Sequence, residues 1–295
     1  MLHKVEKIAL FGNCYQAKKS RYVEQVLRTL LTLGVEFTLE HDFAAFLKTI
    51  IVDERLRKSL DNTFVVPNVD ADIALSIGGD GTFLNTASLV GHNNIPILGI
   101  NTGHLGFLAD VNPDKISASL QELVNRNIVI EERSVLKAEC DGVDLDIYPC
   151  ALNEVAILKH AQASLIHVKT SVNGEFLGKY TADGVIISTP TGSTGYSLAC
   201  GGPVLVPESR CLAVTAVAPH SIALRPIIVR DDVTIELEIY SRTGDYLLAV
   251  DGRNARLPIT QKVRIHRADY TVKVVKVSHQ HFFSTLQEKM KWGLQ

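Results

Sequence analysis

A single carboxylate set among glycines, at the end of an apolar run, is the first place in this sequence where chemistry can be read. Asp72-Ile73-Ala74-Leu75-Ser76 has the pattern of a buried strand and leads into Ile77-Gly78-Gly79-Asp80-Gly81-Thr82; Phe83 to Leu89 then continues as a helix. Without side chains, Gly78, Gly79 and Gly81 let a ligand come close to the backbone, and the N–H groups of a helix start suit phosphate. Asp80 would then be a base built into an anion site. The same residues also make a tight turn in which glycine supplies positive φ and aspartate caps the helix, and the segment alone leaves both readings open.

Two further stretches place polar residues where a β-rich segment would bury apolar ones. Asn153-Glu154 sits in the run Leu152-Asn153-Glu154-Val155. Neighbours in a strand face opposite ways, so both reach one ligand only from a strand end or a bulge. An exposed strand terminus is the plain alternative. The second stretch, Asp183 to Ala199, is a buried strand that enters the loop Thr189-Pro190-Thr191-Gly192-Ser193-Thr194-Gly195-Tyr196-Ser197 and opens a helix. Its hydroxyls and helix-start amides suit a nucleotide better than a core. It lacks the Gly-Lys-Ser/Thr ending of a P-loop, and its Gly-Ser-Thr-Gly lacks the spacing of a nucleophile elbow. No GxGxxG turn follows the first strand-like run, so ordinary Rossmann dinucleotide binding is not supported.

The elements that must hold these residues follow from periodicity. Lys7 to Phe11 reads as a strand, Ser20 to Leu33 as a helix closed by Gly34, Val35 to Leu39 as a strand and Phe43 to Leu60 as one helical stretch. Ile73 to Ile77 and Ile95 to Ile100 are further strands, and Asn112-Pro113 opens a helix to about Asn125. This alternation over residues 1–127 predicts a Rossmann-like α/β domain with a parallel sheet, whose ligands bind beyond the carboxyl ends of the strands. Residues 128–278 read as a β-rich domain of short runs bounded by Gly, Asn, Asp or Pro, such as Asn173-Gly174. A helix within residues 279–295 is expected to pack back on the first domain.

Composition narrows the classes of function. In 295 residues, 46% hydrophobic and 21% charged with a formal net charge of −2, nothing suggests a nucleic-acid or membrane surface. Five cysteines without CxxC spacing argue against a disulfide framework or a structural zinc, and are expected as reduced thiols in a cytoplasmic protein.

Together, Gly78-Gly79-Asp80-Gly81-Thr82, Asn153-Glu154 and Thr189 to Tyr196 resemble the GGDGT, NE/D and TPTGSTAY motifs of the NAD kinase family, of the bacterial ATP-NAD kinase type. Asn101 to Leu108, Pro219-His220 and Arg225-Pro226-Ile227 add to the likeness, which spans nearly the whole chain. The resemblance implies a nucleotide-kinase-like α/β domain, related to diacylglycerol kinases, joined to a β-rich NAD-binding domain. It implies transfer of the γ-phosphoryl of ATP to the adenosine-ribose 2′-hydroxyl of NAD, with Mg²⁺ held mainly by the ATP phosphates, in a homodimer or homotetramer.

By the same resemblance Asp80 is the base, and Gly78, Gly79, Gly81 and Thr82 contact phosphate; His220 would lie near the phosphates or serve a structural role. Asn153, Glu154, Thr194, Gly195, Tyr196 and Ser197 hold the adenosine half of NAD. Asp183 holds the nicotinamide half, with Thr181 and Ala218 as further contacts and Asp80-Gly81 touching NAD as well. Three positions depart from the family pattern: Gly195 stands for the usual Ala, Thr181 where some relatives have Arg, and Arg253 where Gln is frequent; Arg253 would reach a phosphate or stay a solvated turn residue. No metal site of protein side chains alone is expected, and His279-Gln280-His281 reads as a helix start. Kinases of lipid or sugar hydroxyls and a non-catalytic NAD(P) sensor are the competing functions.

Overall fold

The computed structural model describes residues 5–14, 20–103, 105–160, 165–277 and 281–293. The chain forms two compact units, one of residues 1–132 and 272–295, the other of residues 133–271.

The first unit alternates strand and helix. Its elements are β1 (Lys7–Gly12), α1 (Ser20–Leu33), β2 (Glu36–Glu40), α2 (His41–Ile50), α3 (Glu54–Ser59), β3 (Thr63–Phe64), β4 (Ile73–Gly78), α4 (Asp80–Val90), β5 (Ile97–Asn101) and α5 (Ile116–Val124). α1 forms because Val23, Val26, Leu27 and Leu30 share one face, which is buried against the sheet core of Ile8, Leu10, Leu39 and Leu75. Each such fully buried side chain contributes about 1.5–3 kcal/mol. The helix ends where Gly34 takes φ +66° and Val35 N–H bonds back to Leu30 O. The single helix expected over 43–60 is two: Ile51 leaves the helix with ψ 123°, and Asp53 caps a new one by accepting from Arg55 and Leu56 N–H. Similarly, the stretch opened by Pro113 is a 3₁₀ turn, Pro113–Lys115, before α5 begins.

The sheet of this unit is parallel, in the order β5-β4-β1-β2-β3. A last strand from far along the chain joins beside β5, with Val274 opposite Ile97. Within β4 all six residues are buried, as expected of a strand covered on both faces.

The second unit takes β6 (Ile128–Cys140) from Arg133 on, then β7 (Cys150–Ala151), β8 (Glu154–Leu158), β9 (Ile166–Val172), β10 (Glu175–Ala182), β11 (Gly184–Ser188), α6 (Tyr196–Ala199), β12 (Cys211–Val217), β13 (Ile227–Arg230), β14 (Ile235–Tyr240), β15 (Asp245–Val250), β16 (Arg253–Pro258) and the first part of β17 (Val263–Val277). An antiparallel sheet runs β13-β12-β11-β8-β15-β16. β9 pairs with both β10 and β14, and β14 with β17. The turn Asn173-Gly174 has φ +50° and +80°, the twist a two-residue hairpin needs. α7 (Phe282–Met290) follows β17 and belongs to the first unit.

Candidate active site

In the first unit, β4 delivers the glycine turn to the start of α4: Gly79 is the N-cap and Asp80 the first helical residue. Gly78 is glycine for packing, since a Cβ there would run into Thr82 Oγ1. Gly79 and Gly81 differ. A Cβ at either would meet nothing within 4 Å, and neither has positive φ. The fold itself therefore makes no demand for glycine at these two positions, whereas a ligand approaching the amides of a helix start would.

The Asp80 carboxylate is held by a second loop. Oδ2 accepts from Phe107 N–H at 3.0 Å, and Oδ1 from Leu108 and Ala109 N–H, each at 3.0 Å. Gly106 makes this approach possible, because a Cβ there would collide with Oδ1. Next along the chain, buried Asp110 pairs with Lys276 of β17. Burial pushes the Asp110 carboxyl up and the Lys276 ammonium opposes that shift. So Asp80 both clamps a loop and keeps about one-third of its side chain exposed. The turn reading of the sequence fails in its particulars: none of Gly78, Gly79 and Gly81 has positive φ, and Asp80 lies inside α4 and caps nothing, its carboxylate binding the 107–109 loop instead.

A cavity of about 620 Å³ opens beside this turn, at the carboxyl ends of β1 and β4. That is ample for a nucleotide. Gly81, Thr82 and Asn85 of α4 line it, with Asn13, Asp42 and Glu40 opposite. Both Glu40 oxygens already cap α2, accepting from Asp42 and Phe43 N–H. Oxygen atoms of Asp42, Asn85 and Thr82 on the same walls suit a hard divalent cation carried on phosphate. Among the described residues no group of three or more His, Cys, Asp or Glu side chains could hold a metal by itself.

In the second unit, Asn153 and Glu154 lie where β8 begins, and an aspartate the sequence reading gave no role fixes them. Asp251 accepts from Leu152 N–H at 2.7 Å with Oδ2, and from Asn153 and Glu154 N–H at 2.9 and 3.0 Å with Oδ1. It sits at φ +45° in the Asp251-Gly252 turn between β15 and β16. The only sequence signal for it was that Asp-Gly turn. The hydroxyl loop is stitched to the same strand: Thr189 N–H bonds to Asn153 O and Thr189 Oγ1 to Leu152 O. Gly192 is needed for this contact, since a Cβ would enter the Asn153 backbone.

Asn153 Oδ1, Glu154 Oε2 and Thr191 Oγ1 are buried with no hydrogen-bond partner. Polar atoms left so in a folded protein are costly unless something fills the place, and ribose hydroxyls or an adenine amine would. Burial, reinforced by the Asp251 charge, pushes the Glu154 carboxyl up to about 7, while Tyr196 N–H opposes the shift. Gly195 has its own reason here: a Cβ would lie 3.2 Å from Glu154 Oε2, tighter than usual contact.

The other expected residues are less uniform. Thr194 Oγ1 bonds within the loop to Thr191 O at 3.3 Å, and Tyr196 is 38% exposed. Ser197 is fully buried, its hydroxyl paired with Thr215 at 3.1 Å, so it supports the loop from beneath. Asp183 is ion-paired with Lys159 at 2.6 Å. Thr181 Oγ1 bonds His167 Nδ1 at 2.8 Å, and His220, exposed, bonds Thr181 O through its amide. Ala218 adopts φ +43°, costly for a residue with a Cβ, and such strain collects at functional positions. Arg253 is not a solvated turn residue: it donates to Cys150 O at 2.8 Å and lies over the Tyr148 ring. His279 and Gln280 fall outside the described residues, as does His104; His281 is the N-cap of α7.

The chain matches the model of the ATP-NAD kinase N-terminal domain over residues 8–128 and that of the ATP-NAD kinase C-terminal domain over residues 152–277. It is 48% identical over 287 residues to the NAD kinase of Bacteroides fragilis, covering 97% of this chain and 98% of that one. The NAD kinase of Porphyromonas gingivalis is 37% identical, with 98% and 99% covered. Among solved structures, yeast NADH kinase complexed with NADH superposes with a TM-score of 0.86 at 22% identity, over 99% of this chain and 89% of that one. The NAD kinase from Archaeoglobus fulgidus in complex with ATP gives 0.72 at 24%, over 97% and 98%. At such identities the structures speak for the fold, and the curated relatives for the lineage. The chain belongs to the ATP-NAD kinase family.

Proposed function

We propose that the chain is an NAD kinase, transferring the γ-phosphoryl of ATP to the 2′-hydroxyl of the adenosine ribose of NAD and releasing NADP and ADP. The observation that carries this is 48% identity, over 97% of the chain, to a relative named NAD kinase. The geometry agrees with it. Asp80 accepts the proton of the attacking hydroxyl with the lone pairs its three amide donors leave free. Amides of the α4 start, with Gly79 and Gly81 clear of side chains, receive phosphate. Asn153, Glu154 and the Thr194-Gly195-Tyr196 segment receive the adenosine half, using the buried atoms that lack partners. Asp183, Thr181, Ala218 and Arg253 are assigned to the rest of the dinucleotide, and His220 to phosphate. Asp42, Asn85 and Thr82 would face a divalent cation, Mg²⁺ in this reading, that enters on ATP and neutralises its phosphate charge.

Incubation with Mg·ATP and, side by side, NAD, NADH, diacylglycerol and simple sugars tests the assignment. NADP formation with rates on lipid and sugar at background is expected; a faster lipid or sugar reaction, or tight NAD binding without product, overturns it. Asp80→Asn should lower kcat by about 10²–10⁴-fold with NAD still bound. EDTA should abolish turnover, and excess Mg²⁺ restore it. A cytoplasmic homodimer or homotetramer completes the reading, and light scattering measures the assembly.

A further inference from the structure

The first unit carries a cation that neither the motifs nor the roles above use. Lys289, in the last turn of α7, places Nζ 3.6 Å from Asp80 Oδ2, and its side chain is 35% exposed. The separation is an ion pair longer than a hydrogen bond, so the ammonium is near the carboxylate without being spent on it. Asp80 has no need of it for placement, because three backbone amides already fix both oxygens. Lys289 is instead placed by an aromatic face. Nζ lies 4.6 Å from the centroid of the Phe107 ring, and Phe107 packs on Phe282 at the start of α7 with centroids 6.1 Å apart. A cation held over a ring keeps its N–H donors available to a ligand. The same Phe107 gives its backbone N–H to Asp80, so one residue positions both the base and the cation.

We propose that Lys289 is a further catalytic residue, the cation that meets the transferred phosphoryl group beside Asp80. The inference rests on the kinase reading. In the transfer, the 2′-oxygen forms a bond to the γ-phosphorus while the bond from that phosphorus to the β,γ-bridging oxygen breaks, its electron pair leaving with ADP. The hydroxyl proton goes to Asp80. A hydroxyl on Asp80 Oδ2 brings the phosphorus within about 3–3.5 Å of that hydroxyl oxygen in a near-attack geometry. An ammonium 3.6 Å from Oδ2 then reaches the equatorial oxygens, where charge gathers in the transition state. Among the described residues that line the adjoining cavity there is no Lys or Arg, so Lys289 fills a role those walls leave open.

Lys289→Met keeps the length and the apolar contact with Phe107 and removes the charge; Lys289→Arg restores it. Steady-state NADP formation, NAD affinity by calorimetry and thermal unfolding are measured on full-length protein. Lys289→Met should lower kcat about 10²–10³-fold, the range for loss of one preorganised donor, with NAD Kd within threefold and Tm within 2 °C of the parent. Lys289→Arg should regain at least tenfold of the lost kcat. A kcat for Lys289→Met within threefold of the parent overturns the proposal. So does an equal loss in both variants together with a Tm fall of more than 5 °C, which marks a purely structural contact. An unsubstituted protein that binds NAD but forms no NADP refutes the kinase reading itself, a result separable from either of these.

Discussion

In the proposed site, where Glu154 receives the adenosine ribose, dinucleotide binding becomes a proton-linked event. The Glu154 carboxyl, pushed up to about 7 by burial and by Asp251, is half protonated near neutrality in the free protein, yet a ribose hydroxyl donates best to the ionised form. NAD affinity should therefore rise with pH up to about 7 and level off above it, weakening by up to about tenfold per unit on the acid side. Calorimetry in buffers of different ionisation enthalpy would detect the released proton, and Glu154→Gln should remove the slope. Stability moves the opposite way. The folded pKa lies above the ordinary 4.5, so the stability Glu154 confers is fully present below about pH 4.5 and lost as pH rises through about 7. Melting temperature followed across that window should fall less steeply in Glu154→Gln. Of these residues the sequence announced Asp80, Asn153 and Glu154, because carboxylates and amides in apolar or glycine-rich runs are conspicuous. Lys289 lay hidden in an amphipathic helix, where a lysine looks like any solvated one.

At the level of elements, the same device appears twice: a carboxylate gathers three successive backbone amides, Asp80 those of 107–109 and Asp251 those of 152–154. One fixes a loop outside the strands, 107–109, and the other the entry to β8, which begins at Glu154. Asp251→Ala leaves three amides without their acceptor and should cost about 3 kcal/mol or more, with NAD affinity lost along with stability; denaturant unfolding measures the first. Hairpins with Asn-Gly and Asp-Gly turns were legible because those residues accept positive φ. β10, β13 and β16 were not, since Glu175–Ala182 and Arg253–Pro258 alternate weakly and expose much of their length at sheet edges. β17 reads as two strands in the sequence, because Arg267-Ala268-Asp269 interrupts the apolar alternation, although the backbone continues unbroken. The break between α2 and α3 was hidden for the converse reason: apolar spacing persists across Ile51 and Leu56, both buried, while Asp53 restarts the helix.

For the molecule as a whole, the first unit is discontinuous: residues 272–295 complete a sheet begun by residues 7–101. No local sequence pattern states that Val274 will lie beside Ile97, which is why the α/β half looked finished near residue 127. A chain ended at residue 271 should fail as an NAD kinase, because β5 loses a neighbour, Asp110 loses the Lys276 ammonium and Lys289 is gone. Exposed apolar surface along β5 should make it aggregate, which solubility and circular dichroism would record. Substituting Lys276→Met in the full chain isolates one part of that effect. Removing one partner of a buried ion pair costs about 3–5 kcal/mol, and the loop that binds Asp80 should loosen with it.

That discontinuity sets a clock on biosynthesis. The ribosome makes the glycine turn and Asp80 early, then residues 133–271, and only afterwards the strand and helix that close the first unit. At about 5–20 residues per second the interval is roughly 7–28 s. Throughout it the nascent polypeptide carries Asp80 with neither Lys276 nor Lys289 yet made, so the first unit closes only once both have been synthesised.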